Sequence, residues 1–225
     1  MSKQDVLQIA AVLVLIVALL GVNDLLVERN VERYLVSHPE VLTRVLKQNQ
    51  ANERRAAAAK IRQNLLDHWS EIATVRAYSV FYNGNNITSQ LIKISDVANP
   101  GNLNLIATDY RCVYCKGDRD AVERLLKSSP NVRFIFIEAA VLGSESRELA
   151  EAALSSADNE NYYQVHYRMF DGGVLPATVS DSAVQLASSH RQLAELLGIG
   201  STPLYVLRGE VHIGSINPAS KDLSR

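Results

Sequence analysis

Asp109-Tyr110-Arg111-Cys112-Val113-Tyr114-Cys115-Lys116, DYRCVYCK, holds both cysteines of a 225-residue chain. Two cysteines with two residues between them have three readings: a redox pair, half of a metal site, or two inert buried thiols. The flanking pattern bears on the choice. Leu103 to Ala107 reads as a short strand, and a helix is expected from Cys112 to about Lys127, with Ala121, Val122, Leu125 and Leu126 inward. The pair therefore flanks the first turn of a helix. A thiolate there is stabilised by the macrodipole and by unpaired amides, and Arg111 and Lys116 add positive charge. Cys112 is expected to act as nucleophile, and Cys115, one turn on and more buried, to resolve the mixed disulfide. Zinc would need four ligands, and His166, His190 and His212 have no ligand spacing. A two-thiolate Cu(I) site stays open, because soft thiolates suit Cu(I).

Working outward, Val132 to Ile137, VRFIFI, is the strongest strand signal in the chain. Strand, helix and strand then make a βαβ unit with a parallel pair. Leu91 to Ile94 reads as a further short strand, after the turn-rich YNGNN of Tyr82 to Asn86. Residues 144 to 197 read as mostly helical, with a loop at 171–178. Leu204 to Leu207 and Val211 to Ile213 form a hairpin around Arg208-Gly209-Glu210, so the sheet is mixed. Pro203 stands immediately before the first of these strands, and Thr202-Pro203 is a candidate cis bond.

Toward the N-terminus, residues 24–76 read as helical, with Pro39 as the one proline and no glycine. Ser37-His38-Pro39-Glu40 looks like a helix start, with Ser37 as cap and Glu40 completing a capping box. A short helix is expected to hand over there to a long one near residues 38–72. Its apolar stripe is thin and interrupted by Asn49 and Asn52, which suggests either an oligomerisation stalk with polar layers or a solvated spacer. Before it, residues 6–22, VLQIAAVLVLIVALLGV, carry no charge. That is the short end of a membrane span, or the apolar part of a secretory signal, although no good cleavage site follows. Either reading places the rest of the chain outside the cytoplasm, where disulfides persist.

Bulk composition is that of a globular protein: 47% hydrophobic, 21% charged, net charge −1. No field of one sign draws the chain to nucleic acid. There is no Gly-rich phosphate loop, no Gly-x-Ser-x-Gly elbow and no His-x-x-x-His. Phosphoryl transfer, triad hydrolysis and zincin chemistry have no support.

Together these segments resemble the DsbA-like family of exported bacterial thiol:disulfide oxidoreductases. TDYRCVYCK (108–116) resembles its strand-to-active-site segment. VRFIFIEAAVLGSESRELAEAAL (132–154) resembles its second strand and first inserted helix, and YYQVHYRMF (162–170) its aromatic segment with a single histidine. LGIGSTPLYV (197–206) resembles its cis-proline segment, and YLVSHPEVL (34–42) the helical extension of the stalked ScsC-like subgroup. The resemblance implies an α/β thioredoxin fold with an inserted helical subdomain. The expected organisation is a signal anchor or signal peptide over 1–23, a helical stalk over 24–76, and a DsbA-type domain over 77–225 with its insertion at about 144–197. It further implies thiol–disulfide exchange with exported proteins, as isomerase or oxidase, without a small cofactor, in the periplasm. Cys112 matches the nucleophile and Cys115 the resolving cysteine. Val113 and Tyr114 match the pair that tunes the potential, and Thr202 and Pro203 match the substrate-contacting segment. Implied partners are substrates held in mixed disulfides, a membrane thiol oxidoreductase that resets the dithiol, and further copies of the chain through the stalk. The different-class alternative is a copper-handling protein with both thiolates as Cu(I) ligands. The chain departs from the family at Val113, where proline or glycine is common, at Ser201 in place of glycine, and at Glu138-Ala139-Ala140, which lacks a frequent proline.

Overall fold

In the computed structural model of the chain, the described residues are Val27, 30–173 and 175–216. The apolar stretch 6–22 and the tail beyond Ile216 lie outside them. Among the described residues no helix is long and apolar enough to cross a membrane. The chain divides into two compact units, Met1–Glu53 and Arg54–Arg225.

The first unit contains the described part of helix α1, residues 30–37, and the start of α2 (Pro39–Asp67). His38 is the non-helical residue between them, and Pro39 opens α2, where a missing amide hydrogen costs nothing. Ser37 does not cap α2. Its hydroxyl donates back to the carbonyls of Arg33 at 2.8 Å and Tyr34 at 3.0 Å and so closes α1. The Tyr34 ring stacks on His38, which fixes the corner. Val31, Tyr34, Val36, Leu42, Val45 and Leu46 all stay exposed within the single chain.

The second unit begins inside the stretch read as stalk. Ile61 and Leu65 of α2, and Ile72 of the short helix α3 (Trp69–Ile72), recur at intervals of four and seven residues and are buried in the core. The thin stripe is thus enough for half a helix to lie on a sheet. These residues belong to the compact unit Arg54–Arg225. Residues 76–82 carry no assignment from sequence beyond the helical reading that ends at Arg76. They form strand β1 (Arg76–Tyr82), which pairs antiparallel with β2 (Ile87–Lys93) from Arg76↔Lys93 to Tyr82↔Ile87. The YNGNN turn closes that hairpin. Asn83 Oδ1 accepts from the amides of Asn85 and Asn86, an Asx arrangement that shapes the turn between β1 and β2.

The sheet has six strands in the order β2-β1-β4-β3-β5-β6. β3 (Leu105–Thr108), α4 (Val113–Ser128) and β4 (Phe134–Glu138) form the expected βαβ unit, with β3 and β4 as the parallel pair. Helices α5 (Ser144–Ser156), α6 (Tyr162–Met169) and α7 (Asp181–Leu197) follow β4. The hairpin of β5 (Leu204–Leu207) and β6 (Glu210–Ile213) then closes the sheet, antiparallel to β3. Arg208 and Gly209 both have positive φ, the tight turn that matches strand twist. A Cβ on Gly209 would meet the Pro100 carbonyl oxygen at 2.8 Å, so only glycine fits.

Strand periodicity divides the core. Leu105, Ala107, Ile135 and Ile137 face α2, α3 and the C-terminal part of α7. Ile106, Phe134, Phe136 and Tyr205 face α4, α5 and α6. Both sheet faces are covered, which is why VRFIFI reads as a continuous apolar run rather than an alternating one. Each such leucine, isoleucine or phenylalanine side chain contributes about 1.5–3 kcal/mol through burial.

Candidate dithiol active site

β3 ends at Thr108, and its parallel alignment with β4 delivers the next residues to the C-terminal edge of the sheet. Asp109 pins the turn there. Its carboxylate accepts from the Arg111 amide at 2.8 Å, the Leu142 amide at 3.0 Å and the Ser146 hydroxyl at 2.8 Å. Its carbonyl accepts from the Cys112 amide at 3.0 Å. The loop that carries the dithiol is thus tied to the start of the inserted helices.

Cys112 is the N-cap of α4, and its Sγ accepts a hydrogen bond from the Cys115 amide at 3.2 Å. A cap normally offers an oxygen to that amide. Here the sulfur takes its place, so the first cysteine sits where the unpaired amides and positive end of the helix favour an anion. The Cys112 thiol also donates to the Thr202 carbonyl oxygen at 3.2 Å. The Thr202-Pro203 peptide bond is cis, Pro203 is buried, and the Pro203 carbonyl accepts from the Gly214 amide at 2.9 Å. The two segments singled out by sequence, residues 112–115 and 202–203, are therefore in direct contact. Both cysteines are free thiols. Cys115 is buried, and burial pushes its thiol above the usual range. Val113 and Tyr114, by contrast, are 80% and 71% exposed and present apolar surface beside the pair.

The charges expected to support the dithiol are partly spoken for. Arg111 pairs with Glu145 at 3.2 Å and Lys116 with Asp171 at 3.1 Å, both at exposed positions. Among the described residues, no group of three or more His, Cys, Asp or Glu could hold a metal ion.

One cluster beside the dithiol is not apparent in the linear sequence. Glu138, at the end of β4, is buried and accepts from Tyr110 at 2.7 Å, Tyr162 at 2.6 Å and His166 Nδ1 at 2.8 Å. Burial pushes the Glu138 carboxyl up. The facing His166 and the hydrogen bonds from His166, Tyr162 and Tyr110 outweigh that and hold it below the usual range. Tyr110 and Tyr162 are driven well above theirs, first by burial and then by the Glu138 charge. The available signals were a lone glutamate closing an otherwise apolar strand and a lone histidine among aromatics. Neither says that the two meet.

No protein-family model and no curated protein matches the sequence. Solved structures do match by shape. ScsC of Proteus mirabilis in a compact conformation superposes with a TM-score of 0.53 at 20% identity, covering 85% of this chain and 98% of its own. The catalytic domain of the same protein gives 0.53 at 20% identity, over 70% of this chain and 92% of its own. The thiol-disulfide exchange protein alpha-DsbA2 of Wolbachia pipientis gives 0.52 at 18% identity, over 72% of this chain and 92% of its own. These similarities show the fold: this chain has a DsbA- and ScsC-like thioredoxin fold with a helical insertion.

Proposed function

We propose that the protein is a thiol:disulfide oxidoreductase acting on exported proteins in the periplasm, with Cys112 as nucleophile and Cys115 as resolving cysteine. The observation that carries this reading is the Cys112 sulfur, held at the N-terminus of α4 between the Cys115 amide and the Thr202 carbonyl. In the reducing direction, the Cys112 thiolate attacks one sulfur of a substrate disulfide. The other substrate sulfur leaves with the electron pair and takes a proton. Cys115 then attacks Cys112 Sγ, the second substrate sulfur leaves, and the Cys112–Cys115 pair holds the oxidised state. The reverse sequence oxidises a substrate dithiol. Thr202 and Pro203 line the approach to Cys112, and Val113 and Tyr114 set the potential and offer apolar contact to an unfolded chain.

A membrane thiol oxidoreductase resets the dithiol. Residues 6–22 anchor the protein to the membrane or direct its export, and no small cofactor takes part. The exposed apolar residues of α1 and of the first turns of α2 support self-association through residues 24–53. Several dithiols around one misfolded chain favour isomerisation over simple oxidation.

Two assays test the reading: insulin reduction by dithiothreitol, and recovery of activity from a scrambled disulfide protein. The wild-type chain accelerates both, and Cys112→Ala returns both to the uncatalysed rate. A Cys112→Ala variant as active as the wild type would overturn the assignment. Acceleration of insulin reduction without recovery of the scrambled protein would make the protein an oxidase or reductase.

A further inference from the structure

We infer that His166, oriented by Glu138, is the internal base that takes the proton from Cys115 during resolution. The inference rests on the exchange reading above and adds a step to it. Resolution needs a Cys115 thiolate, yet Cys115 is buried in a cluster with Tyr110, Val165, Met169 and Phe170. A proton leaving that sulfur needs an acceptor inside the protein.

Cys115 and His166 line the same small cavity, about 10 Å³ and thus on the scale of one water. Most other polar groups around it are donors at neutral pH. Thr108 offers a hydroxyl, Arg119 a guanidinium, and Tyr163, Tyr167 and Tyr205 offer phenols. Tyr205 gives its hydrogen to Asp118 at 2.7 Å and Tyr167 gives its own to Asp120 at 3.0 Å. Asp118 Oδ2 also accepts from the Ile216 amide at 3.2 Å, so this carboxylate oxygen already holds two hydrogens, and Asp118 is not among the residues that line the cavity. Arg119 is paired with Asp171.

His166 differs from all of these. Its Nδ1 meets the Glu138 carboxylate, and an ionised carboxylate can only accept, so Nδ1 carries the hydrogen. In the neutral ring the free lone pair is then on Nε2. A carboxylate that fixes the tautomer, a histidine, and a thiol sharing a cavity with it together have the base-and-orienter logic of activated nucleophiles. One further observation fits. The Tyr163 hydroxyl is buried with no hydrogen-bond partner among the described residues, and Tyr163 lines the same cavity. A water there would satisfy that hydroxyl and join Cys115 to His166.

The step balances. The Cys115 proton passes to His166 Nε2, directly or through that water. The Cys115 thiolate attacks Cys112 Sγ. The bond from Cys112 to the substrate sulfur breaks, and its electron pair leaves with the substrate, which is protonated by solvent. The imidazolium then returns its proton to solvent. Glu138 is a positioning residue, since it acts through His166.

The test is stopped-flow reaction of the reduced full-length protein with excess 5,5′-dithiobis(2-nitrobenzoate). Attack by Cys112 releases one chromophore, and resolution by Cys115 releases the second. In His166→Gln the second phase is expected to slow by on the order of a hundredfold, the usual scale of a lost general base, with the first phase intact. Glu138→Gln keeps hydrogen-bonding capacity but removes the orienting charge, and should slow the second phase by a smaller factor. A folded variant of either kind with an unchanged second phase overturns the proposal. So does a parallel fall of both phases, because a packing role would move them together. Absence of the first phase in the wild type would instead overturn the exchange reading itself.

Discussion

The Cys112 thiol donates its hydrogen bond to the Thr202 carbonyl oxygen at 3.2 Å, across 90 residues of chain. The contact assigns a task to each partner. While Cys112 is a thiol, the carbonyl is occupied. In the proposed reaction a Cys112 held in a mixed disulfide would have no hydrogen to give, and the carbonyl would then be open to another donor.

The proposed order of attack makes the two single-cysteine variants unequal. Cys115→Ala leaves the mixed disulfide without its resolving thiol and should accumulate adducts with exported proteins. Cys112→Ala should not. Non-reducing gels of the periplasmic fraction read the difference, and equal adducts in both variants would reverse or dissolve the assignment.

Burial holds the Cys115 thiol above its usual range, so it stays protonated at neutral and mildly alkaline pH. Iodoacetamide at pH 7 to 8 should therefore leave Cys115 unmodified in the folded chain and reach it only after unfolding. Peptide mass spectrometry checks the site. Comparable labelling of Cys115 in the folded protein would show that its sulfur is not shielded.

Acid should destabilise the protein in two stages. His190 is buried, and burial lowers its folded pKa below the ordinary 6.5. The unfolded chain therefore takes up the proton first, and stability present above 6.5 is lost as pH falls below that value. The net shift of Glu138 is also downward, so its contribution is complete above the ordinary 4.5 and is lost as pH falls through the lower folded value. Denaturant midpoints from pH 8 to 3 should show both declines. Glu138→Gln should remove the second and cost about 1–3 kcal/mol at neutral pH, because buried donors lose a charged acceptor.

Where the chain is cut should decide whether the dithiol domain folds. A fragment starting at Arg54 retains Ile61, Leu65 and Ile72 in the core and should be a folded monomer that still exchanges disulfides. A fragment starting at Ala77 loses all three, roughly 5–9 kcal/mol of burial, which is comparable to the whole stability of a domain. It also loses Arg76, whose carbonyl is bonded to the His190 ring at 3.1 Å. Light scattering of the full chain against the Arg54 fragment tests self-association through the first unit. A monomeric full chain would reduce residues 24–53 to a spacer and favour the oxidase reading.

The dithiol, its helix, strand β4 and the β5–β6 hairpin could be read from sequence because each is set by neighbours in the chain. Cys112 caps the helix that it precedes, Arg208-Gly209 supplies the turn conformation, and VRFIFI has the apolar density of a strand covered on both faces. What required tertiary structure was every relation that depends on a distant partner. Strand β1 was hidden because RAYSVFY shows no clean alternation, and its ends are set by pairing with β2 and β4. The last turns of α2 read as stalk because their thin stripe becomes a core face only when the sheet lies beneath it. Glu138 and His166 stand 28 residues apart, and no local pattern links them. Backbone propensity and capping act within a few residues, whereas burial and buried hydrogen bonds depend on which surfaces the completed fold brings together.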